Sequence, residues 1–113
     1  MRPVARPDVS HYTYRVSWSA EDDEFVATCL EFPSLSWLAA SQVEALEGLT
    51  ALLQDTVVDM EEQGEDIPVP LSERKFSGKF NVRIGEQLHR TLAMKAAEEH
   101  MSLNQYVVKK LAS

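Results

Sequence analysis

Three short stretches near the start of the chain are rich in hydrophobic residues, and in the first of them hydrophobic and polar residues alternate. In the first stretch, aromatic residues and a valine occupy one face and polar residues occupy the other, which is typical of a half-buried β-strand. The next two stretches are rich in aromatic and apolar side chains, and short loops separate the three. The pattern predicts strands over residues 12–19, 25–32 and 35–39, with the first two forming a hairpin.

The apolar spacing changes to three and four residues after Ser41, which predicts an amphipathic helix of about 22 residues. Ser41 and Glu44 have the spacing of a capping box at its start, and Gly64 is placed to end it. Gly48, inside the helix, is expected to cost about 1 kcal/mol relative to alanine. The predicted apolar stripe is Val43, Leu46, Leu49, Leu53, Val57 and Met60. The helix should pack across one face of the sheet.

A polar segment with two prolines follows Gly64 and predicts an extended linker. The chain then divides into an N-terminal module over residues 1–66, a linker over residues 67–76 and a C-terminal module over residues 77–113. The expected fold class is α+β, with a small antiparallel sheet packed by one helix and followed by a strand-helix-helix module.

Residues 79–84 alternate strictly and begin the C-terminal module. The apolar row is Phe80, Val82 and Ile84, and the polar row is Lys79, Asn81 and Arg83. Two helices should follow, and the second begins with Ser102 and Gln105 at capping-box spacing. The predicted order is therefore strand, helix, helix.

A lone strand cannot satisfy its own backbone hydrogen bonds, and so small a module cannot close a core alone. A homodimer solves both problems, because two copies of the strand can pair antiparallel with their apolar rows facing the helices. The polar rows then form a ribbon that fits the DNA major groove, where Arg bonds guanine, Asn bonds adenine and Lys reaches guanine or phosphate. Backbone N–H groups near Ser102, Leu103 and Asn104 could bind a phosphate. The structural alternative is an ordinary edge strand in a mixed sheet.

The net charge of −7 is unevenly distributed. Residues 1–70 carry 3 Lys or Arg against 14 Asp or Glu, whereas residues 71–113 carry 8 against 4. An acidic module suits a basic protein partner and repels nucleic acid, while a basic module approaches phosphates more easily. The two modules are therefore expected to have different partners.

Several protein classes are excluded or disfavoured. A chain of 113 residues cannot be a large multidomain enzyme, and no apolar run approaches the roughly 20 residues that span a bilayer. With no signal-peptide core at the start, the expected location is the cytoplasm. The one cysteine, Cys29, is expected to be a buried core thiol rather than a nucleophile paired with His11.

No metal or cofactor is expected, because no Cys/His spacing resembles a zinc site. The only dense carboxylate run, residues 21–24, lies at a predicted hairpin tip rather than on rigid elements, so we do not expect an enzyme. His89 and His100 have no companion carboxylate or cysteine at ligand spacing and are expected to be surface or interface residues.

Residues 76–84, Leu88-His89 and residues 102–107 together resemble the ribbon-helix-helix domain at the C-terminus of HicB-family antitoxins. The strands, the long helix and residues 62–68 resemble that family's N-terminal module, a degraded RNase H-like fold without catalysis. The resemblance covers roughly residues 11–112. Two departures stand out: residues 36–41 replace the family's Gly-rich, Thr-containing stretch, and Gly85 replaces the usual proline after the ribbon strand.

The resemblance implies an antitoxin that binds HicA, a small basic mRNA-cleaving toxin, and represses its own operon as a homodimer or dimer of dimers on double-stranded operator DNA. Lys79, Asn81 and Arg83 inherit base reading by position, and residues 102–104 inherit phosphate anchoring. The departure at residues 36–41 leaves open an orphan regulator that kept only DNA binding. A second hypothesis is a protein-binding module that uses the basic tail only for dimerisation. A residual RNase H-like nuclease that depends on Glu31 is a third, weaker hypothesis.

Overall fold

The computed structural model describes residues 6–113, so the first five residues of the predicted N-terminal module lie outside the described part of the chain. The fold is α+β, as predicted. Three antiparallel strands pack against one long helix, and two shorter helices follow. The chain forms two compact units, which we call the first unit (residues 6–76) and the second unit (residues 77–113).

The sheet of the first unit contains β1 (Tyr14–Ser19), β2 (Glu24–Cys29) and β3 (Ser36–Ala39) in the order β1-β2-β3. All neighbours are antiparallel, and Val16, Ala27 and Trp37 lie side by side across the sheet. Each strand is shorter than the sequence predicts. Tyr12 and Phe32 fall just outside the strands, yet both are buried and their rings meet edge to face at 5.1 Å between centroids.

Helix α1 spans Gln42–Glu62 and ends at Gly64 as the sequence predicts, but only one half of the predicted capping box forms at its start. The Ser41 hydroxyl accepts the Glu44 N–H at 3.1 Å. At the other end, Gly64 adopts a left-handed φ of 70°. There, Glu65 N–H donates to the Met60 carbonyl and Gly64 N–H to the Glu61 carbonyl, which is a Schellman motif.

The buried stripe of α1 differs from the predicted one at its first turns. Val43 is 65% exposed and Leu46 is 39% exposed, so their assignment to the core-facing stripe was wrong. The buried residues follow a spacing of four, which keeps them on one face, whereas Val43 lies about 120° around the helix from Leu49. The buried stripe consists of Ala45, Leu49, Leu53 and Val57.

Gly48 has a packing role that the sequence does not reveal. The indole of Trp37 lies directly on the helix at this position, and a Cβ on residue 48 would overlap the Trp37 ring. The glycine lowers helix propensity, but its lack of a Cβ allows close contact between α1 and β3.

Residues 67–71, predicted to be part of an extended linker, belong to the first unit and pack on its core. Pro70 is fully buried and Ile67 packs against the core. The Tyr12 hydroxyl donates to the Pro68 carbonyl at 2.7 Å, and the Leu71 N–H donates to Glu31 Oε2 at 2.9 Å. Its apolar side chains and two specific hydrogen bonds fix the segment, although it follows the polar residues 64–66 and contains two prolines.

The second unit consists of α2 (Glu86–Glu98) and α3 (Leu103–Ala112), which pack against each other. Between them, His100 adopts a left-handed φ of 56°, and the Met101 and His100 N–H groups close a second Schellman motif on Ala96 and Ala97. No helix in the described residues has the length and apolar character needed to cross a bilayer.

Candidate nucleic-acid interface

Residues 79–84 precede α2 and lie between two glycines with left-handed φ, Gly78 at 83° and Gly85 at 81°. In the described single chain they form no hydrogen-bonded strand, although the sequence predicts one there. The physical reason is that a strand is defined by its pairing, and no other segment of residues 6–113 pairs with this one.

The apolar row of this segment is open to solvent. Phe80 is 76% exposed, Val82 63% and Ile84 38%. Large hydrophobic side chains at such exposure, three in alternate positions, are typical of an interaction surface. The predicted role of these residues as a dimer core remains a prediction, and their exposure leaves them available for it.

The polar row is equally accessible. Lys79, Asn81 and Arg83 are all exposed, and within residues 6–113 none of their side chains forms a hydrogen bond or an ion pair. Free donors of these three types are the groups that recognise guanine and adenine edges in the major groove. The three side chains are thus free to contact a ligand.

The N-terminus of α3 is more restricted than the sequence suggests. Ser102 and Gln105 form a complete capping box, because the Ser102 hydroxyl accepts the Gln105 N–H and the Ser102 N–H donates to Gln105 Oε1, both at 3.0 Å. The Ser102 backbone is therefore already satisfied. Among the described residues, the N–H groups of Leu103 and Asn104 form no hydrogen bond, so of the three predicted anchors these two keep a donor free.

The contact between α2 and α3 buries little. In the second unit only Ala96 and Tyr106 are buried. Lys110 lies 5.5 Å from the Tyr106 ring centroid, and Lys109 forms an ion pair with Glu99 at 2.9 Å. The hydrogen bond from Lys109 lowers the pKa of Glu99, and the same contact raises the pKa of Lys109. These exposed contacts orient the helices but cannot replace a core.

Glu31 is the buried carboxylate of the first unit, a role that sequence reasoning missed. It accepts the Thr13 N–H on Oε1 and the Leu71 N–H on Oε2, both at 2.9 Å, and the Cys29 thiol donates to it at 3.4 Å. Burial alone would raise its pKa, but the hydrogen bonds from Leu71 and Thr13 outweigh burial and lower it. An acidic residue at the end of an otherwise apolar stretch was the only available signal.

Cys29 and His11 do not form a pair. Cys29 is buried beside Glu31, and burial raises the pKa of its thiol. His11 is exposed and contacts the Glu73 carboxylate, which raises the pKa of the imidazole. The contact lies beside a cleft of about 810 Å³ whose lining includes Glu61 and Glu65. Sequence reasoning did not anticipate this cleft.

The carboxylates of residues 21–24 lie around the β1–β2 turn, as the sequence predicts. Asp22 accepts the Ser19 hydroxyl at 2.9 Å, and Asp23 adopts a left-handed φ of 54°. Within the described residues, no cluster of three or more His, Cys, Asp or Glu side chains could hold a metal ion.

Residues 61–111 match the model of the HicB family. The match runs from the last turn of α1 to the end of α3, and it supports membership of the HicB family. Neither the curated proteins nor the solved structures gave a match to the chain.

Proposed function

We propose that this chain is the antitoxin of a HicAB-like toxin–antitoxin system, which neutralises a small basic ribonuclease with its first unit and represses its own operon with a dimer of its second unit. The match of residues 61–111 to the HicB family supports the antitoxin assignment. The observation that carries the DNA-binding part is the segment 79–84, in which an exposed apolar row alternates with an exposed, unpaired Lys-Asn-Arg row.

Dimerisation follows from the backbone and from the apolar row. Two copies of residues 79–84 can pair antiparallel, so each satisfies the N–H and C=O groups that the other lacks. Phe80, Val82 and Ile84 of both copies then lie on one side of the ribbon, against the helices. At about 25 cal/mol per Å² of buried apolar surface, covering these side chains and the exposed apolar residues of the helices stabilises the assembly.

DNA recognition follows from the other face of the ribbon. Arg83 would bond guanine O6 and N7, Asn81 would bond adenine N6 and N7, and Lys79 would reach guanine or a phosphate. The free N–H groups of Leu103 and Asn104, at the positive end of the α3 dipole, would hold a backbone phosphate and fix the register.

The toxin-binding part rests on charge. Residues 6–76 carry 15 Asp or Glu against 4 Lys or Arg, whereas residues 77–113 carry 3 against 6. An acidic surface attracts a basic ribonuclease and accelerates their encounter. The same charge would repel DNA, so we assign the two activities to different units.

The first test measures DNA binding by fluorescence anisotropy with the full chain, its own upstream DNA and a scrambled duplex at several salt concentrations. We expect specific binding whose logarithm falls with the logarithm of salt, with a slope of about −0.9 per phosphate neutralised. Equal or absent binding to both duplexes would contradict the repressor assignment.

Two substitutions at one position separate base reading from charge. Arg83→Lys keeps the positive charge but loses the bidentate geometry, while Arg83→Ala loses both. Both variants should lose preference for the upstream DNA, and Arg83→Lys should keep more of the salt-dependent affinity. An Arg83→Ala protein that retains full specificity would show that Arg83 does not read a base.

A regulator without a toxin partner is the alternative function, favoured by the departure of residues 36–41 from the family pattern. The discriminating measurement is co-purification and calorimetry with an inactive HicA-family toxin. Tight binding supports the antitoxin, and specific DNA binding without toxin binding supports the orphan regulator.

A further inference from the structure

Strand β3 forms an edge of the sheet that lacks the usual protection. Its backbone is paired with β2 on one side, and within residues 6–113 no other hydrogen bond reaches Ser36–Ala39. Charged side chains, prolines within the strand or a covering segment usually block a sheet edge, and a short strand also limits pairing; β3, with four residues, has only the last of these. Residues 32–43 contain no charged residue, whereas β1, the other edge strand, carries Arg15.

Both faces of β3 offer an apolar anchor beside the open edge. Trp37 lies on the α1 face, packed on Gly48, and remains 43% exposed. Leu38 lies on the opposite face, beside Val26 of β2, and is 39% exposed. A strand that adds to a sheet edge gains affinity from backbone hydrogen bonds and specificity from contacts of this kind on alternate faces.

The side of α1 next to β3 is acidic. Gly48 identifies this side, because it touches Trp37 of β3. Glu44 lies four residues before Gly48 and Asp55 seven residues after it, so both share its side of the helix. Both are exposed, and neither forms an ion pair among the described residues. The open edge is therefore flanked by uncompensated negative charge.

We propose that β3 is the docking edge for an extended basic segment of a protein partner, which adds antiparallel or parallel to Ser36–Ala39 as a further strand and places Lys or Arg side chains near Glu44 and Asp55. The inference rests on the proposed function, because it assigns the toxin-binding surface of the first unit. Charge disfavours the first unit of a second copy as the occupant, since it would bring the same acidic excess to the interface. The basic residues 79–84 of a second copy are already assigned to the ribbon of the proposed dimer.

The first test uses Leu38, where two substitutions remove the same apolar contact and introduce opposite charges. Leu38→Lys blocks the edge and repels a basic segment, while Leu38→Glu attracts it. Calorimetry with an inactive HicA-family toxin and the full chain should show that Leu38→Lys lowers the toxin affinity about tenfold or more and that Leu38→Glu lowers it clearly less. Equal losses, or none, would overturn the inference.

The second test separates the α1 acids from overall charge. The double variant Glu44→Lys/Asp55→Lys should weaken toxin binding by about tenfold or more. Its matched control, Glu21→Lys/Glu47→Lys, changes the net charge equally at exposed positions on the hairpin turn and on another side of α1. Equal effects of the two variants would mean general steering and would overturn the assignment of β3.

Hydrogen exchange tests directly whether the toxin docks on β3. The amides of β3 that face the open edge should gain protection when the toxin binds, and the amides of β1 should not. If wild-type protein binds the toxin without new protection in β3, the docking edge is wrong and the proposed antitoxin function stands. If wild-type protein does not bind the toxin, both fall. Protection of β3 that depends on protein concentration and not on toxin would identify a second copy as the occupant and overturn the inference.

Discussion

The two units solve the problem of burying apolar side chains in different ways. The first unit has nine buried hydrophobic residues in one continuous cluster between the sheet and α1. The second unit has two, Ala96 and Tyr106. The first unit can therefore fold around its own core, and the second has too little core to be stable as a single copy.

The second unit does not lack apolar residues; it lacks a surface to pack them against. Its exposed large hydrophobic residues are Phe80, Val82, Ile84, Leu88, Met94, Val108 and Leu111. Their number and exposure support the proposed dimer, in which a second copy would supply the rest of the core. We therefore expect substitutions in the first unit to change its free energy of unfolding and substitutions in the second unit to change the oligomeric state.

Both tryptophans, Trp18 and Trp37, belong to the first unit. Tryptophan fluorescence therefore reports unfolding of the first unit alone. The molar mass measured in solution reports whether chains assemble through the second unit. The two signals allow each prediction to be assigned to one unit.

The largest effect is expected at Phe80. Phe80→Asp replaces an apolar side chain of the proposed dimer core by a charge, and loss of a buried phenylalanine alone costs about 3–5 kcal/mol. We expect sedimentation to show a monomer and circular dichroism to show loss of the α2 and α3 signal, with unchanged tryptophan unfolding.

Asn81→Asp is the matched control for Phe80, because it introduces the same charge at the adjacent position of the polar row. It should keep the mass of the wild-type assembly. A Phe80→Asp protein with wild-type mass and helix content would contradict the proposed dimer core, since Phe80 would then contribute nothing to assembly or folding of the second unit.

The next effect is expected at Glu31, whose two oxygens each accept a backbone N–H. In Glu31→Gln, the amide nitrogen replaces one acceptor and faces a donor. The free energy of unfolding of the first unit should therefore fall by about 1–3 kcal/mol. Because the folded pKa of Glu31 is lowered, its stabilising effect is complete above the ordinary glutamate pKa of about 4.3 and is lost as the pH falls through the folded pKa.

The difference in unfolding free energy between wild type and Glu31→Gln should therefore be largest near pH 7 and shrink in acid, as measured by urea titration of tryptophan fluorescence. Glu47→Gln, at an exposed position without an ion pair among the described residues, should behave as wild type. A difference that does not depend on pH would show that ionised Glu31 is not the acceptor.

Gly48 tests how closely the first unit packs. Gly48→Ala would normally stabilise a helix by about 1 kcal/mol. Here we expect it to destabilise the first unit, because the new methyl group overlaps the Trp37 ring. In a Trp37→Ala background, where Trp18 still reports unfolding, the same substitution should become stabilising. The same sign in both backgrounds would contradict the packing of Trp37 on Gly48.

The smallest effect is expected at His100 in the second unit. A non-glycine residue with left-handed φ costs about 1 kcal/mol, so His100→Gly should raise the thermal stability of the assembled second unit. His89→Gly, inside α2, should lower it by a similar amount. Thermal denaturation followed by circular dichroism checks both signs, and equal signs would rule out the Schellman geometry at His100.

Local signals predicted the fold well where the contacts themselves are local. Ser41 and Gly64 fix the ends of α1 because their hydrogen bonds lie within a few residues. Glu31 and Leu71 are 40 residues apart, and no pattern in either segment indicates that they form a hydrogen bond. The packing of residues 67–71 was therefore invisible in the sequence.

The candidate site divides in the same way. Alternation in residues 79–84 predicted which side chains share a face, and their exposure is compatible with that prediction. The strand itself needs a second backbone, which one chain does not supply. The base-reading roles of Lys79, Asn81 and Arg83 remain predictions for the same reason, because their partners lie outside the chain.

The hydrogen bond between Glu31 and Leu71 also determines where the protein can be divided. A fragment that ended at residue 66, where the sequence suggests a boundary, would lose buried Pro70, the Pro68 carbonyl that accepts from Tyr12 and the Leu71 N–H that donates to Glu31. Fragments, and chimaeras that exchange the first unit between relatives, should instead extend at least through Glu73. A protease that probes the native chain should leave residues 67–71 uncut.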